Sequence, residues 1–164
     1  MLLRAQRAPR VSTIISIHGK REFGLELECE HRLDLCFDDV EVVRPGDLEA
    51  MERAMMRRRW NEQNGLVEVA PRKEDAAAIV QFAERVREVK GIVLCQCDGG
   101  MSRAPAAALI CLAVWCGAGT EEECIAEVRR LRRGAVPHVG LVGFGDELLD
   151  RGGRLVKALQ AIRG

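Results

Sequence analysis

Residues 95–115 read CQCDGGMSRAPAAALICLAVW, and the order of residue types in this stretch decides the fold. Upstream, Gly91–Gln96 (GIVLCQ) is a short apolar run bounded by glycine and polar residues, the pattern of a central parallel strand. Downstream, the apolar segment from Arg103 to Cys116 reads as a buried helix, with Pro105 in the first turn where helices tolerate it. Between them lie Cys97, five residues that include Gly99 and Gly100, and Arg103. Strand, tight loop and helix in this order predict an α/β layer fold, with the loop at the carboxyl end of a parallel strand, where such folds place their sites.

The chemistry of the loop follows from its residue types. A thiol is a strong nucleophile only as the thiolate, which a helix N-terminus and a neighbouring arginine favour. Gly99 and Gly100 let the backbone curl so that successive N–H groups form an anion-binding concavity. Arg103 adds a planar fork of donors that matches two phosphate oxygens. Such a loop binds a phosphate dianion with the Cys97 sulfur beneath its phosphorus.

Cys, five residues, Arg is also the signature of the cysteine-based protein tyrosine phosphatase superfamily, which this chain resembles. Its small dual-specificity enzymes and bacterial predicted tyrosine phosphatases read approximately His-Cys-x-x-Gly-x-Ser-Arg-Ser. The loop here, QCDGGMSRA, matches at Cys97, Gly100, Ser102 and Arg103. The resemblance runs from about residue 14 to the end. It implies a central, mainly parallel sheet of four to five strands flanked by helices; the length of 164 residues itself fits a single domain over 1–164. Carried over, it makes Cys97 the nucleophile of a phosphocysteine intermediate and Arg103 the phosphate clamp. Asp98, Gly99, Gly100, Met101, Ser102 and Arg103 become the phosphate cradle, and no metal or cofactor is implied. Gln96 stands where the family usually has His, and Ala104 where it usually has Ser or Thr. These two departures keep open an alternative: a phosphate-binding module, a pseudophosphatase of slow turnover.

Displacement at phosphorus also needs a proton for the leaving oxygen. In the resembled family an Asp on a loop after an upstream strand supplies it. Here LDLCFDDVEV places Asp38 and Asp39 after a predicted strand, Arg32–Phe37. Neighbours on an extended chain point opposite ways, so one of them faces the pocket; Asp39 is the first choice and Asp38 the reserve. The interval to Cys97 exceeds that of compact relatives by an insertion of about 43–69. That insertion contains RRRW (57–60), a candidate recognition or lid element. The plainer reading, which charge runs favour, is a solvated helix face with Trp60 packed inward. RRLRR (129–133) is read the same way.

Elsewhere, Val11–Ile17 (VSTIISI) is a predicted buried strand, and GLELEC (24–29) is a candidate short extra strand. Asp47–Trp60 predicts a helix closed by Asn64 and Gly65, with Leu48, Met51, Met55 and Met56 on one apolar face. Glu74–Val89 predicts an amphipathic helix with Ala76, Ile79, Val80, Ala83 and Val86 toward the core. TEEECIAEVRRLRR opens with a capping-box pattern. The tail from Pro137 predicts further helix broken at Gly152 and Gly153; it is similar to the family's closing segment, with His138 where Asn is usual.

Composition bounds the rest. Hydrophobic residues make up 48% and charged residues 30% of 164, the balance of a folded globular domain rather than a disordered chain. Zero net charge gives no global field that selects nucleic acid or membrane. Seven irregularly spaced cysteines and an N-terminus without the apolar core of a secretory signal predict free thiols and a cytoplasmic setting. The most apolar stretch, 104–119, is too short to span a bilayer. Cys29, Cys36, Cys111, Cys116 and Cys124 read as inert, and His18, His31 and His138 as isolated. Cys95 and Cys97 lack the companion ligands of a zinc site, but under oxidation they form a candidate, strained disulfide. Rhodanese-like or arsenate chemistry fits less well, because the five-residue gap and the upstream Asp suit phosphate esters. The glycine loop also lacks the Gly-Lys-Ser/Thr ending of nucleotide hydrolases. The expected partner is a phosphate ester substrate, a phosphoprotein among the candidates.

Overall fold

The computed structural model describes residues 10–20, 27–43 and 46–161. Three strands, β1 (Val11–His18), β2 (His31–Cys36) and β3 (Ile92–Gln96), and six helices follow in mixed order. The helices are α1 (Leu48–Gln63), α2 (Lys73–Arg85), α3 (Arg103–Cys116), α4 (Glu121–Leu131), α5 (Val139–Leu148) and α6 (Arg154–Ala161). Both strand pairings are parallel, in the order β2-β1-β3. Ile14 stands opposite Arg32 on one side and Leu94 on the other.

Two expectations about the sheet are corrected. Among the described residues it has three strands rather than four or five, and the central one is β1, not β3. β1 is buried along Ser12–Ile17, as a strand covered on both faces must be, whereas Ile92 of β3 is exposed. Of the candidate extra strand, 24–26 lie outside the described residues and 27–29 are not strand.

α3 is apolar on every side, and nine of its fourteen residues are buried, which makes it the centre of the helical layer. Ile79, Phe82 and Ala83 of α2, Cys124, Ile125 and Val128 of α4, and Leu141 and Val142 of α5 join it in one core with Ile15 and Ile17 of β1. α5 approaches α3 closely because residue 145 is glycine: a Cβ there would lie 2.7 Å from Ile110 Cγ1. Arginines from elsewhere reach the last carbonyls of α3, among them Ala113 O, which also accepts the cap N–H of Gly117. Arg151 Nη2 donates to Ala113 O at 2.8 Å, and Arg87 Nη2 to Val114 O and Trp115 O at 2.9 and 3.0 Å. No helix among the described residues is long and apolar enough to cross a membrane.

Helix ends bring further corrections. α2 closes at Val86, short of the expected Val89, and Val80 on its core face is only half-buried. The capping box expected at Thr120 does not form; its hydroxyl donates instead to Gly117 O at 2.9 Å. α1 departs most. Asp47 caps it as expected, accepting from Ala50 N at 2.9 Å, but Leu48, Met51, Met55 and Met56 are exposed, and so is Trp60. The helix turns its small residues inward, burying Ala50 and Asn61. It is held from outside by ion pairs: Arg53 with Glu41 at 3.0 Å and Arg57 with Glu68 at 2.6 Å.

Candidate active site

β3 ends at Gln96 and α3 begins at Arg103, so residues 97–102 turn the chain from strand to helix. The reversal passes through Gly100, whose φ of +64° is the left-handed conformation that glycine accommodates best. Groups outside this loop hold three of its carbonyls. Arg132 Nη2 donates to Gly99 O at 3.3 Å, Val136 N to Met101 O at 2.8 Å and His138 N to Ser102 O at 3.2 Å. The N–H groups of Asp98, Gly99, Gly100, Met101 and Ser102 donate to no backbone carbonyl among the described residues. A loop with its carbonyls tied back and its N–H groups available is an anion cradle.

Cys97 is buried, and its sulfur accepts the N–H of Ala104, the second residue of α3, at 3.4 Å. The positive end of a fourteen-residue helix therefore points at the thiol. Arg103 is also buried, 4% exposed, and its Nη1 donates to Phe37 O at 3.0 Å, just beyond the end of β2. The nucleophile and clamp candidates thus stand at the end of β3, and the segment after β2 comes to meet them. They line one small pocket of about 360 Å³ with Asp38, Asp39, Arg57 and Glu68.

The two aspartates are not equivalent. Asp38 is engaged with the returning chain: its N–H donates to Val69 O and its Oδ2 accepts from Val69 N, both at 2.7 Å. Asp39 faces the loop, its half-exposed carboxylate accepting from Ser102 Oγ at 2.7 Å. A second depression, of about 580 Å³, adjoins across Asp39, Met101 and Ser102 and carries Glu41 and Asp47.

The two residues that depart from the signature have definite places. Gln96 Nε2 donates to Ser16 Oγ at 2.7 Å, tying the end of β3 to β1. Ala104 keeps its backbone N–H on the Cys97 sulfur but brings no hydroxyl. All seven cysteines are free thiols, so Cys95 and Cys97 are not joined. A hydrogen bond with Cys95, together with burial, pushes the Cys111 thiol up from its ordinary range.

Two contributions were only partly legible in the sequence. Arg57, first of the RRRW run, lines the pocket with Nε and Nη2 on Glu68 at 2.7 and 2.6 Å, and Asn61 shares the same carboxylate. The hydrogen bond from Arg57 comes first among the causes that hold Glu68 below the ordinary glutamate range; burial opposes it and Asn61 adds to it. His138, read as isolated, is buried and touches both the loop and the segment after Asp39. Arg57 carried an advance sign as the first residue of RRRW, a candidate recognition or lid element, and His138 carried one in its place beside Pro137, where Asn is expected. Compared with protein-family models, curated proteins and solved structures, the chain matches none.

Proposed function

We propose that the chain is a metal-independent phosphomonoesterase of the tyrosine or dual-specificity phosphatase type, working through a phosphocysteine intermediate. The observation that carries this reading is the loop at 97–103. A buried thiol accepts a helix N-terminal N–H, a row of backbone N–H groups is open to an anion, and a buried arginine lines the same pocket.

In the first step the Cys97 thiolate attacks phosphorus, the P–S bond forms and the ester P–O bond breaks. Asp39 gives its proton to the departing oxygen. The N–H groups and the Arg103 guanidinium hold the three equatorial oxygens, supplying the positive charge that phosphoryl transfer demands. In the second step Asp39 takes a proton from water, whose oxygen attacks phosphorus. The P–S bond breaks, the thiolate is restored and inorganic phosphate leaves.

Hydrolysis of an aryl phosphate by the native chain, against Cys97→Ser, tests this: the variant is expected to lose essentially all activity. Equal rates overturn the reading. Gln96 and Ala104 support a second reading, a phosphate-binding pseudophosphatase, because neither supplies the group usual at its position. Tight phosphopeptide binding with negligible turnover, unimproved by Ala104→Ser, favours that alternative.

A further inference from the structure

His138 joins three parts of the candidate site through three hydrogen bonds. Its backbone N–H donates to Ser102 O at 3.2 Å, at the end of the phosphate loop. Its Nδ1 accepts the N–H of Leu141 at 3.1 Å and so caps α5. A backbone N–H can only donate, so Nδ1 carries no proton and the neutral ring is the Nε2–H tautomer. That Nε2–H donates to Val40 O at 2.8 Å, the carbonyl of the residue directly after Asp39. Asp39 Oδ1 lies 3.9 Å from Nε2, beyond hydrogen-bond reach, so the ring acts on the carboxyl through the backbone and relays no proton. Ser102 Oγ completes a closed circuit by donating to Asp39 at 2.7 Å.

We propose that His138 is a positioning residue: by fixing the Val40 peptide it holds the Asp39 carboxyl over the phosphate loop, where the leaving oxygen of a phosphate ester is protonated. This rests on the phosphatase reading and names a residue outside the signature that it requires. The same side chain does two separable jobs, and two substitutions divide them. His138→Asn places Oδ1 where Nδ1 was and keeps the cap on α5, but it is too short to reach Val40. His138→Gln carries an amide N–H to the Nε2 position and keeps the tie to Val40.

Hydrolysis rates are measured on a series of phosphate esters running from strongly acidic phenol leaving groups to unactivated ones, with native chain, both His138 variants, Asp39→Asn and Cys97→Ser. Acid catalysis matters only where the leaving group is poor. Asp39→Asn is therefore expected to lose about 100-fold or more on the poorest leaving group, and His138→Asn about 10-fold or more, with little loss on the best. His138→Gln restores the native profile. A loss in His138→Asn that is uniform across the series, or no loss beside a graded one in Asp39→Asn, overturns the assignment and leaves the phosphatase reading standing. A Cys97→Ser chain that hydrolyses at the native rate removes both. Independently of folding in the variants, ring-nitrogen NMR of the native chain is expected to show a bare Nδ1 and a protonated Nε2 on His138; the opposite tautomer also overturns the assignment.

Discussion

Helices α3 and α1 are of similar length and each lends an arginine to the same pocket, yet they are held by different forces. α3 buries nine residues and carries the clamp candidate Arg103 at its first position. α1 buries two of sixteen and exposes Leu48, Met55, Met56 and Trp60 while sending Arg57 toward the pocket. The difference separates a rigid part of the site from an appended one. The geometry of the cradle is set by packing, whereas the wall formed by α1 is set by surface ion pairs, a cap and loop connections. Sites built on packed elements keep their geometry best, so chemistry is expected from α3 and adjustment from α1.

The contrast can be broken most forcefully inside α3. Ile110→Ala leaves a cavity at a fully buried position and is expected to lower stability by about 2–5 kcal/mol in urea unfolding. Gly145→Ala drives a methyl group into Ile110 from the α5 side and is expected to cost about 1–3 kcal/mol in the same measurement. At α1 the effects shrink. Removing the cap with Asp47→Ala is expected to cost about 1 kcal/mol, seen as lost helicity by circular dichroism.

The Arg57–Glu68 pair is smaller still, below about 1 kcal/mol, because half of the Arg57 side chain is in solvent. Its sign is fixed by Glu68, whose carboxyl is held below its ordinary range of about 4.5. Its contribution is complete above that value and is lost as pH falls through the lower folded-state value. Glu68→Gln is therefore expected to flatten the acid limb of a stability-against-pH curve. Met55→Ala, at an exposed position, is expected to change stability by less than about 0.5 kcal/mol. A Met55 effect as large as that of Ile110 would erase the distinction between the two helices.

The same contrast explains what could be read from the sequence. β1, α3 and the loop between β3 and α3 were legible because continuous burial leaves a continuous apolar record, and a five-residue gap between cysteine and arginine has a geometric reason. α1 was misread because an apolar face marks a core only when another element lies against it; here Ala50 and Asn61 take that side. β3 was placed at the centre for a related reason: Val93, Leu94 and Cys95 form an apolar run, but helix packing half-buries them at an edge. Alternation along an extended chain requires that Asp38 and Asp39 take different surroundings, and they do: Asp38 binds Val69 while Asp39 meets Ser102. The part of His138 was hidden because its partners, Val40 and Ser102, are backbone carbonyls distant in sequence, and no residue type advertises them.

The reciprocal bonds between Asp38 and Val69 also bear on how such a chain can change. They cinch the two ends of the excursion that holds α1 and, with the His138 bond to Val40 O, decouple the length and content of the segment beyond Val40 from the place where Asp39 stands. Closing a flexible loop costs only about 0.6 kcal/mol more for each doubling of its length. The segment beyond Val40 is thereby an exchangeable cassette: it can be lengthened, trimmed or replaced to alter what the pocket admits, while Asp39 and the loop at 97–102 stay in register.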